Sequence, residues 1–371
     1  MNPNRLKILY IVLEMDLGGL QRIVNILIER LDHEQFDPYL CCLDRGGLFY
    51  RTFKKGGAGS YILGRKPGPF DLKMFVKLIQ IVKDNRIDII HSHNGCSLYG
   101  AMAGKVCGVK GIVHTDHGRL VPDRQTAIWE DRFASSMMNC FVAVSKELAE
   151  YLASVVKVKR KKLITIINGV DADTYIPFST AEKKLRKHEL GLNMDAKLIG
   201  TVCRLDPIKN LDMLVDSVPA ILQRIPDCQV VIVGDGPEEN RLRNRVANLK
   251  LSSKIIIFGR DENIQNIMPV FDLFVNTSFS EGTSMTILEA MSCGIPVVAS
   301  AVGGNEGLVD NFNGALFPSG RADLFQRSVT DLLGNENMLR ELGKKSREKV
   351  LARFSIDHVL KQYENLYRTL A

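Results

Sequence analysis

The stretch that decides the fold of this chain runs from Asp272 to Ala299 and reads DLFVNTSFSEGTSMTILEAMSCGIPVVA. Its apolar start predicts a strand, its middle predicts a helix, and a Gly-x-Pro turn leads into a strand over 297–299. Two carboxylates, Glu281 and Glu289, bracket seven residues, the first on the loop and the second inside the helix. Polar residues at a strand-to-helix junction bring free backbone N–H groups and the positive end of the helix dipole together, which predicts an anion site.

Strand-like and helix-like segments alternate along the chain, which predicts parallel sheets covered by helices. Val231–Val233 is continuously apolar, as a strand buried on both faces is. A Gly after a strand marks a turn near 169. Two Rossmann-like α/β domains facing each other across a cleft are therefore predicted, over 1–170 and 171–350, with an amphipathic helix over 351–371. The predicted strands are 6–13, 39–43, 87–90, 111–114, 140–144, 163–167, 198–202, 229–233, 254–258, 273–276 and 296–299.

Length and composition limit the class of protein. A chain of 371 residues is too long for one comfortable core, and 45% apolar with 25% charged residues is ordinary for a globular protein. No apolar stretch approaches the roughly 18 residues of a membrane span, and the N-terminus lacks a signal-peptide pattern, so a cytoplasmic protein is expected. The eight cysteines are scattered without a C-x-x-C pair, which predicts reduced core thiols.

The net charge is unevenly distributed. Residues 1–170 carry 25 Lys and Arg against 16 Asp and Glu, a net charge of +9, whereas the remainder carries 24 against 26, a net charge of −2. The run Lys157–Lys162 contributes five cations. Such a basic half favours an anionic membrane surface, and a solvated basic face is the plain alternative. Nucleic acid is not expected as a partner, because no aromatic-rich basic motif or helix-turn-helix pattern accompanies the charge.

Two loops carry residue types that bind phosphate. Gly18 and Gly19 follow the first strand and open a helix, where glycines let the backbone approach a phosphate closely. Arg204 and Lys209 lie on a Pro-bearing turn after a later strand, where a planar fork and a point charge can meet one diphosphate. A tight turn and a pair of surface cations are the plain structural alternatives.

The other candidates are weaker. Gly234 begins a Gly-x-Gly loop that lacks the third glycine of a dinucleotide fingerprint. His117 follows a first-domain strand and can bond a sugar hydroxyl, although a satisfied structural histidine is the alternative. His91 and His93 are given no catalytic role. No cluster has metal-ligand spacing, so no metal and no other cofactor is expected.

The pattern Glu281-x7-Glu289 followed by Gly294-x-Pro296 resembles the signature of the retaining GT-B glycosyltransferases known as family 4. Only a long ligand touches both carboxylates, and a nucleotide sugar has that shape. The resemblance covers nearly the whole chain and is densest over 198–307. It implies a GT-B fold whose last helix crosses back to the first domain, a nucleotide-sugar donor, with UDP expected, and a glycan or lipid-linked acceptor in surface polysaccharide or glycoconjugate synthesis.

The resemblance also implies roles for the matched residues. Glu281 would orient the sugar and stabilise charge at its anomeric carbon, Glu289 would accept from ribose, and His117 would face the donor sugar. Family members often have Glu where this chain has Gln21, a mild departure. Metal-independent front-face displacement is implied, with the leaving phosphate helping to deprotonate the acceptor. The catalytic candidates are Glu281, His117, Arg204 and Lys209, and the donor-binding candidates are Gly18, Gly19, Arg204, Lys209, Gly234, Arg260, Glu281, Gly282, Thr283, Ser284 and Glu289.

Two alternatives share this scaffold. A UDP-sugar 2-epimerase would turn over its donor without a second substrate. A non-catalytic GT-B subunit would bind a nucleotide sugar or a partner without transfer, although the intact Arg204, Lys209 and Glu281 argue against it. The sequence leaves the donor sugar, the acceptor and the linkage open, and it places the enzyme in the cytoplasm with peripheral attachment to the inner face of the membrane as an added hypothesis.

Overall fold

The computed structural model describes residues 5–16, 18–55, 59–66, 70–119, 123–261 and 263–371. The chain divides into two compact units: unit 1 comprises Met1–Asn168 and Asp357–Ala371, and unit 2 comprises Gly169–Ile356. Unit 1 gives way to unit 2 after Asn168, two residues before the expected boundary at 170. Unit 2 ends at Ile356, six residues after the expected boundary at 350. Inside unit 2, the backbone N–H of Val170 donates to the Phe354 carbonyl and that of Ile356 donates to the Val170 carbonyl, so both chain ends of the unit belong to it.

In its described part, unit 1 holds one sheet of seven parallel strands in the order β3-β2-β1-β4-β5-β6-β7. The strands are β1 Leu6–Val12, β2 Phe36–Cys42, β3 Ser60–Ile62, β4 Ile89–His93, β5 Gly111–Asp116, β6 Cys140–Ala143 and β7 Leu163–Thr165. The helices between them are α1 Gly19–Arg30, α2 Leu48–Lys55, α3 Leu72–Asp84, α4 Ser97–Cys107, α5 Gln125–Met137 and α6 Lys146–Tyr151.

Strand β1 lies inside the sheet of unit 1 and is buried on both faces, which is why its residues are apolar without alternation. Ile8, Leu9, Tyr10 and Ile11 are successive residues of β1, and all four are fully buried. Helix boundaries follow local chemistry. The Asp71 carboxylate caps α3 by accepting from the Met74 backbone N–H at 3.0 Å.

In its described part, unit 2 holds a second sheet, of six parallel strands in the order β10-β9-β8-β11-β12-β13. The strands are β8 Lys197–Val202, β9 Cys228–Val233, β10 Ile255–Phe258, β11 Leu273–Asn276, β12 Val297–Ser300 and β13 Gly314–Phe317. The helices are α7 Thr180–Glu189, α8 Leu211–Arg224, α9 Glu239–Asn248, α10 Met285–Ser292, α11 Asn305–Leu308, α12 Ala322–Leu333 and α13 Glu336–Arg353. The predicted α/β class with two parallel sheets is confirmed.

The last helix, α14 Ile356–Leu370, packs within unit 1 from Asp357 onward. Its Tyr363 and Tyr367 side chains are buried, and the Leu370 side chain lies against Gly111 of β5, where a Cβ would come within 2.9 Å of it. These tyrosines therefore lie on the buried face of the predicted amphipathic helix. Among the described helices, none is long and apolar enough to cross a membrane.

The sequence missed two strands, β3 and β13, and each forms the edge of its sheet. β3 has three residues and β13 has four, and both are only partly buried. The eight cysteines all lie in the described ranges and carry free thiols, six of them buried, as expected for core residues.

Candidate functional site

The strand order of unit 2 reverses at β8, which pairs with β9 on one side and with β11 on the other. Ligands of open parallel sheets bind at such a switch point, beyond the carboxyl ends of the strands. Lys209 ends the short turn Pro207–Lys209 after β8, and Glu281 follows β11. The topology therefore brings together two predicted site residues that are 72 positions apart.

Glu281 is the centre of this site. Its Oε1 accepts from Lys209 Nζ at 2.7 Å, from Ser278 Oγ at 2.7 Å and from Asn276 Nδ2 at 3.1 Å. The side chain keeps 10% of its surface exposed. Three donors on a single oxygen fix the orientation of the carboxylate, and charge-assisted bonds of this kind contribute about 1.5–3 kcal/mol each.

The loop that carries Glu281 is held by a second layer of polar contacts. Asn276 Oδ1 accepts from the backbone N–H of Ser278 and from Asn305 Nδ2, both at 3.2 Å. Thr277 Oγ1 donates to the Lys209 carbonyl at 2.9 Å, and Ser300 Oγ donates to the Ser278 carbonyl at 2.7 Å. The loops after β8, β11 and β12 are therefore bonded to one another, which preorganises the Lys209–Glu281 pair.

Two glycines after β12 complete this packing. A Cβ on Gly303 would lie 2.0 Å from the Glu281 carbonyl oxygen, and one on Gly304 would lie 1.7 Å from the Gly282 carbonyl oxygen. Gly303 also has a φ of +47°, which disfavours other residues. These glycines were missed, as were Asn276, Ser278 and Asn305, although each lies at or just after the carboxyl end of a predicted strand.

Helix α10 begins at Met285, four residues after Glu281. The Ser284 hydroxyl accepts from the Ile287 backbone N–H at 3.4 Å and caps the helix, and the first amides of any helix lack acceptors within it. Gly282, Thr283 and Ser284 therefore place N–H groups and a helix dipole beside Glu281. Glu289 lies about one turn into α10, and its side chain is almost fully buried. Its role toward ribose stays a prediction.

Arg204 does not join the Lys209–Glu281 contacts. Its side chain is 72% exposed, and its Nε lies 3.9 Å from Asp206 Oδ2.

Gly234 is a predicted donor-binding residue, and the packing of the loops also requires a glycine at this position. With a φ of +143°, it lies so close to the loop after β8 that a Cβ would be 1.9 Å from the Cys203 carbonyl oxygen. Arg260 lies near this loop, 4.0 Å from Asp235 Oδ2.

In unit 1, the glycine loop opens α1. Gly18 is the N-cap, its carbonyl accepts from the Arg22 backbone N–H at 2.9 Å, and in the described part of the loop no side chain caps the helix. Gly19 is the first helical residue. The contact of this loop with an anion stays a prediction.

His117 lies after β5 and is held by its neighbours. Its Nε2 is 2.9 Å from His93 Nδ1, so one of the two rings donates to the other, and its backbone N–H donates to Asn94 Oδ1 at 2.7 Å. Within the described residues, His117 Nδ1 and His93 Nε2 are buried without a partner. Burial and then the nearby His114 lower the pKa of His117 to about 3, so this ring is neutral at neutral pH.

A neutral hydrogen-bonded chain connects α14 to the sheet of unit 1. The Tyr367 hydroxyl contacts His91 Nδ1 at 2.7 Å and the Tyr10 hydroxyl at 3.0 Å. His91 Nε2 contacts Thr115 Oγ1 at 2.7 Å, and Thr115 contacts the Tyr363 hydroxyl at 3.3 Å. These bonds satisfy both ring nitrogens of His91, which is fully buried.

Unit 1 also contains a polar pocket of about 490 Å³ at the carboxyl ends of β4 and β5. Arg119 lies in its wall and donates to Asp116 and Asp123, each at 2.6 Å, and to Asp131. Phe70 and Tyr99 stack nearby with ring centroids 4.6 Å apart. The other lining residues are Arg65, Asn94, Gly95, Ser97, Leu98, His114, Gly118, Arg124, Ala127 and Glu130.

Comparison with known proteins places this architecture in a family. The model of glycosyl transferases group 1 matches residues 182–349, and the model of glycosyltransferase family 4 matches residues 17–174. An Escherichia coli UDP-Gal:alpha-D-GlcNAc-diphosphoundecaprenol alpha-1,3-galactosyltransferase is 29% identical over 98% of this chain and 97% of that protein. The N-acetyl-alpha-D-glucosaminyl L-malate synthase of Bacillus anthracis is 26% identical over 81% of this chain and 79% of that protein.

The fold itself matches a solved structure. Anabaena Alr3699/HepE in complex with UDP superimposes with a TM-score of 0.87 at 21% identity, covering 98% of this chain and all of that one. The sucrose-phosphate synthase of Thermosynechococcus elongatus gives a TM-score of 0.81, also at 21% identity. With the two family models matching one unit each, the chain belongs to the family 4 glycosyltransferases of the GT-B fold.

Proposed function

We propose that the chain transfers a hexose-type sugar from a UDP-sugar, with retention of anomeric configuration, to a glycan or lipid-linked acceptor in surface polysaccharide or glycoconjugate synthesis. The observation that carries the proposal is the Lys209–Glu281 pair at the switch point of unit 2, fixed by Ser278 and Asn276. The relative named as a UDP-Gal galactosyltransferase and the UDP complex of a similar fold support the choice of donor.

The donor would be bound by charge and by backbone. Lys209, Arg204 and the amides at the start of α10 would hold the diphosphate, with the glycine loop of α1 as a further contact. Glu281, already oriented by three donors, would bond the sugar hydroxyls. Glu289 would accept from ribose, and Gly234 with Arg260 would lie on the nucleotide side.

The acceptor would bind in unit 1, in the pocket around Arg119. Carboxylates, an amide and a guanidinium bond hydroxyl groups in several directions, and the stacked Phe70 and Tyr99 offer an apolar surface to a sugar ring. His117 adjoins this region and would face the donor sugar. Because its ring is neutral, it would act on that sugar as a hydrogen-bond partner and not as a cation.

The reaction would be a front-face displacement. The bond from the anomeric carbon to the diphosphate oxygen breaks while a bond from that carbon to the acceptor oxygen forms, and the acceptor proton passes to the leaving phosphate. Lys209 and Arg204 would stabilise the charge that grows on the diphosphate, and Glu281 would stabilise the positive charge at the anomeric carbon. Two cations in these positions would make a divalent ion unnecessary.

A donor screen followed by a transfer assay tests the proposal. One UDP-sugar should raise the melting temperature, with about 2.7 kcal/mol of added stability at 100 times its dissociation constant. Incubation with that donor and candidate lipid-diphosphate or glycan acceptors should give an α-linked product by NMR. Donor turnover to an epimer without acceptor would replace transfer by epimerisation, and donor binding without turnover under all acceptors would indicate a non-catalytic subunit.

A further inference from the structure

Helix α5 presents two chemically different faces. At 3.6 residues per turn, Ala127 and Asp131 fall on one side and line the unit 1 pocket, whereas Trp129 and Phe133 fall on the other. Trp129 is 62% exposed and Phe133 is 59% exposed. Two adjacent exposed aromatic side chains on one helix face form an apolar surface that the unit 1 fold does not use.

This surface continues onto the π-helical segment Leu152–Val156 that follows α6. The Arg132 guanidinium lies over the Trp129 ring at 4.8 Å and donates to the Val155 and Val156 carbonyls at 3.1 and 2.9 Å. The Val155 side chain is exposed as well. Trp129, Phe133 and Val155, joined by Arg132, are named the α5 patch.

The basic run Lys157–Lys162 borders the α5 patch. Lys162 Nζ donates to the Ser135 and Ser136 carbonyls at 2.8 and 2.9 Å, which fastens the run to the end of α5. Arg160 is bonded to Glu150 through both of its terminal nitrogens. The other three lysines of the run, Lys157, Lys159 and Lys161, are exposed.

We propose that the α5 patch and these three lysines seat the protein on an anionic lipid bilayer. Trp129 and Phe133 would enter the headgroup region, where amphipathic aromatic rings are enriched, and Lys157, Lys159 and Lys161 would face lipid phosphates. A lipid surface fits better than a protein partner because protein interfaces are depleted in lysine, whereas here cations border three separate apolar side chains. Glu130 and Glu150 are the acidic neighbours that this seating must tolerate.

The inference extends the proposed transfer to a lipid-linked acceptor, because the opposite face of α5 lines the pocket assigned to that acceptor. Its test nevertheless needs no sugar transfer. Vesicle binding can fail while donor binding and transfer to a soluble acceptor persist, and the reverse outcome is equally visible, so the two hypotheses are distinguished by separate measurements.

Trp129 is the single tryptophan of the chain, so intrinsic fluorescence reports on the α5 patch directly. Vesicles of phosphatidylglycerol and phosphatidylcholine in equal parts should shift the Trp129 emission to shorter wavelength, and brominated lipid should quench it. Phosphatidylcholine alone should do neither, and the shift should vanish at high salt, where screening removes the attraction. Co-sedimentation without a change in emission would place the membrane contact elsewhere and overturn the proposal.

Two matched sets of variants locate the surface. The triple variant Lys157→Glu, Lys159→Glu, Lys161→Glu should weaken vesicle binding at least tenfold, whereas Lys184→Glu, Lys250→Glu, Lys344→Glu in unit 2 changes the net charge equally and should not. Lys250, with a φ of +58°, matches the left-handed backbone of Lys157, at +65°. Phe133→Ser should reduce the emission shift, and Phe312→Ser, at another exposed aromatic residue, should leave it intact.

Equal loss of vesicle binding in both triple variants would reduce the effect to net charge and overturn the assignment. A shift in emission that depends on protein concentration without lipid would identify a second copy of the chain as the occupant and would likewise overturn it. The melting temperature with donor should be the same in all of these variants, which confirms that unit 2 is intact.

Discussion

The two units place polar side chains after the strands of similar parallel sheets, but they stabilise them in opposite ways. In unit 2, loops from three strands converge on an ion pair, Lys209–Glu281, supported by amide and hydroxyl donors. In unit 1, buried histidines and tyrosines bond one another as neutral groups. The first arrangement suits charge that develops on a ligand, and the second depends on its histidines remaining unprotonated.

The largest expected effect comes from removing the cations of unit 2. Lys209→Ala and Arg204→Ala should each lower kcat roughly 10²–10³-fold, because an electrostatic donor to developing charge contributes about 3–4 kcal/mol. Steady-state transfer from the identified donor measures this. Lys344→Ala, which changes an exposed lysine of α13, is the control and should be neutral. Near wild-type kcat in either site variant would remove that residue from the diphosphate site.

Substitutions of the two glutamates should change different kinetic constants, kcat for one and the donor KM for the other. Glu281→Gln should lower kcat on the order of 10²-fold because the carboxylate acts on charge at the reacting carbon. Glu289→Gln should mainly raise the donor KM by about tenfold, since a ribose contact is similar in the ground and transition states. Full kinetic curves for both variants, with melting temperatures as a fold control, measure this. The opposite pattern would mean that the donor lies in the reverse direction along α10.

Mild acid should destabilise unit 1 at a higher pH than it destabilises unit 2. Burial lowers the pKa of His117 to about 3 and that of His114 to about 4, and it holds the pKa values of His91 and His93 well below 6.5. The unfolded chain binds protons at these positions below pH 6.5 while the folded unit does not. Their contribution to stability is therefore complete above pH 6.5 and is lost as the pH falls from 6.5 toward 4, by at most about 1.4 kcal/mol per histidine per pH unit.

Hydrogen exchange at pH 7 and pH 5, corrected for intrinsic rates, measures this difference. Peptides from β4, β5 and α14 should lose protection at pH 5, whereas those from β8 and β11 should keep it, because unit 2 contains one histidine, the exposed His188. His33→Gln, at an exposed histidine of unit 1, should leave the pH response unchanged. Equal loss of protection in both units would show that the histidines do not control the response.

The smallest expected effect is that of a chelator. If the cations of unit 2 suffice for the diphosphate, transfer should continue unchanged in excess EDTA. The comparison is the initial rate with EDTA, with EDTA plus excess Mg²⁺, and with no addition. Loss of turnover in EDTA that Mg²⁺ or Mn²⁺ restores would contradict the proposed division of charge between Lys209, Arg204 and the leaving group.

The sequence predicted the parts of the site that a local pattern encodes. Glu281, Lys209 and the start of α10 could be found because each follows an apolar run, and the carboxyl ends of parallel strands lie at one edge of a sheet. The pairing of Lys209 with Glu281 could not, because it depends on β8 lying beside β11, and strand order is not written in local hydropathy.

The missed residues have a similar cause. Gly303 and Gly304 are required because the loop that carries Glu281 and Gly282 presses against both of them, and a tandem glycine alone does not reveal its neighbour. The contact between His93 and His117 joins residues 24 positions apart, again through strand order. Gly234 shows the converse, since its close approach to Cys203 gives it a packing reason whether or not a nucleotide lies beside it.

The assignment of α14 to unit 1 has a consequence for synthesis of the protein on the ribosome. Unit 2 is one uninterrupted segment whose ends are bonded together at Val170, Phe354 and Ile356, so it can complete its fold as soon as it has emerged. Unit 1 must wait, because Tyr367, whose hydroxyl contacts Nδ1 of His91, is translated after the whole of unit 2. During that interval the larger piece of unit 1 exists without its last helix, and this nascent state is where a chaperone or a protease would find the buried face of its sheet exposed.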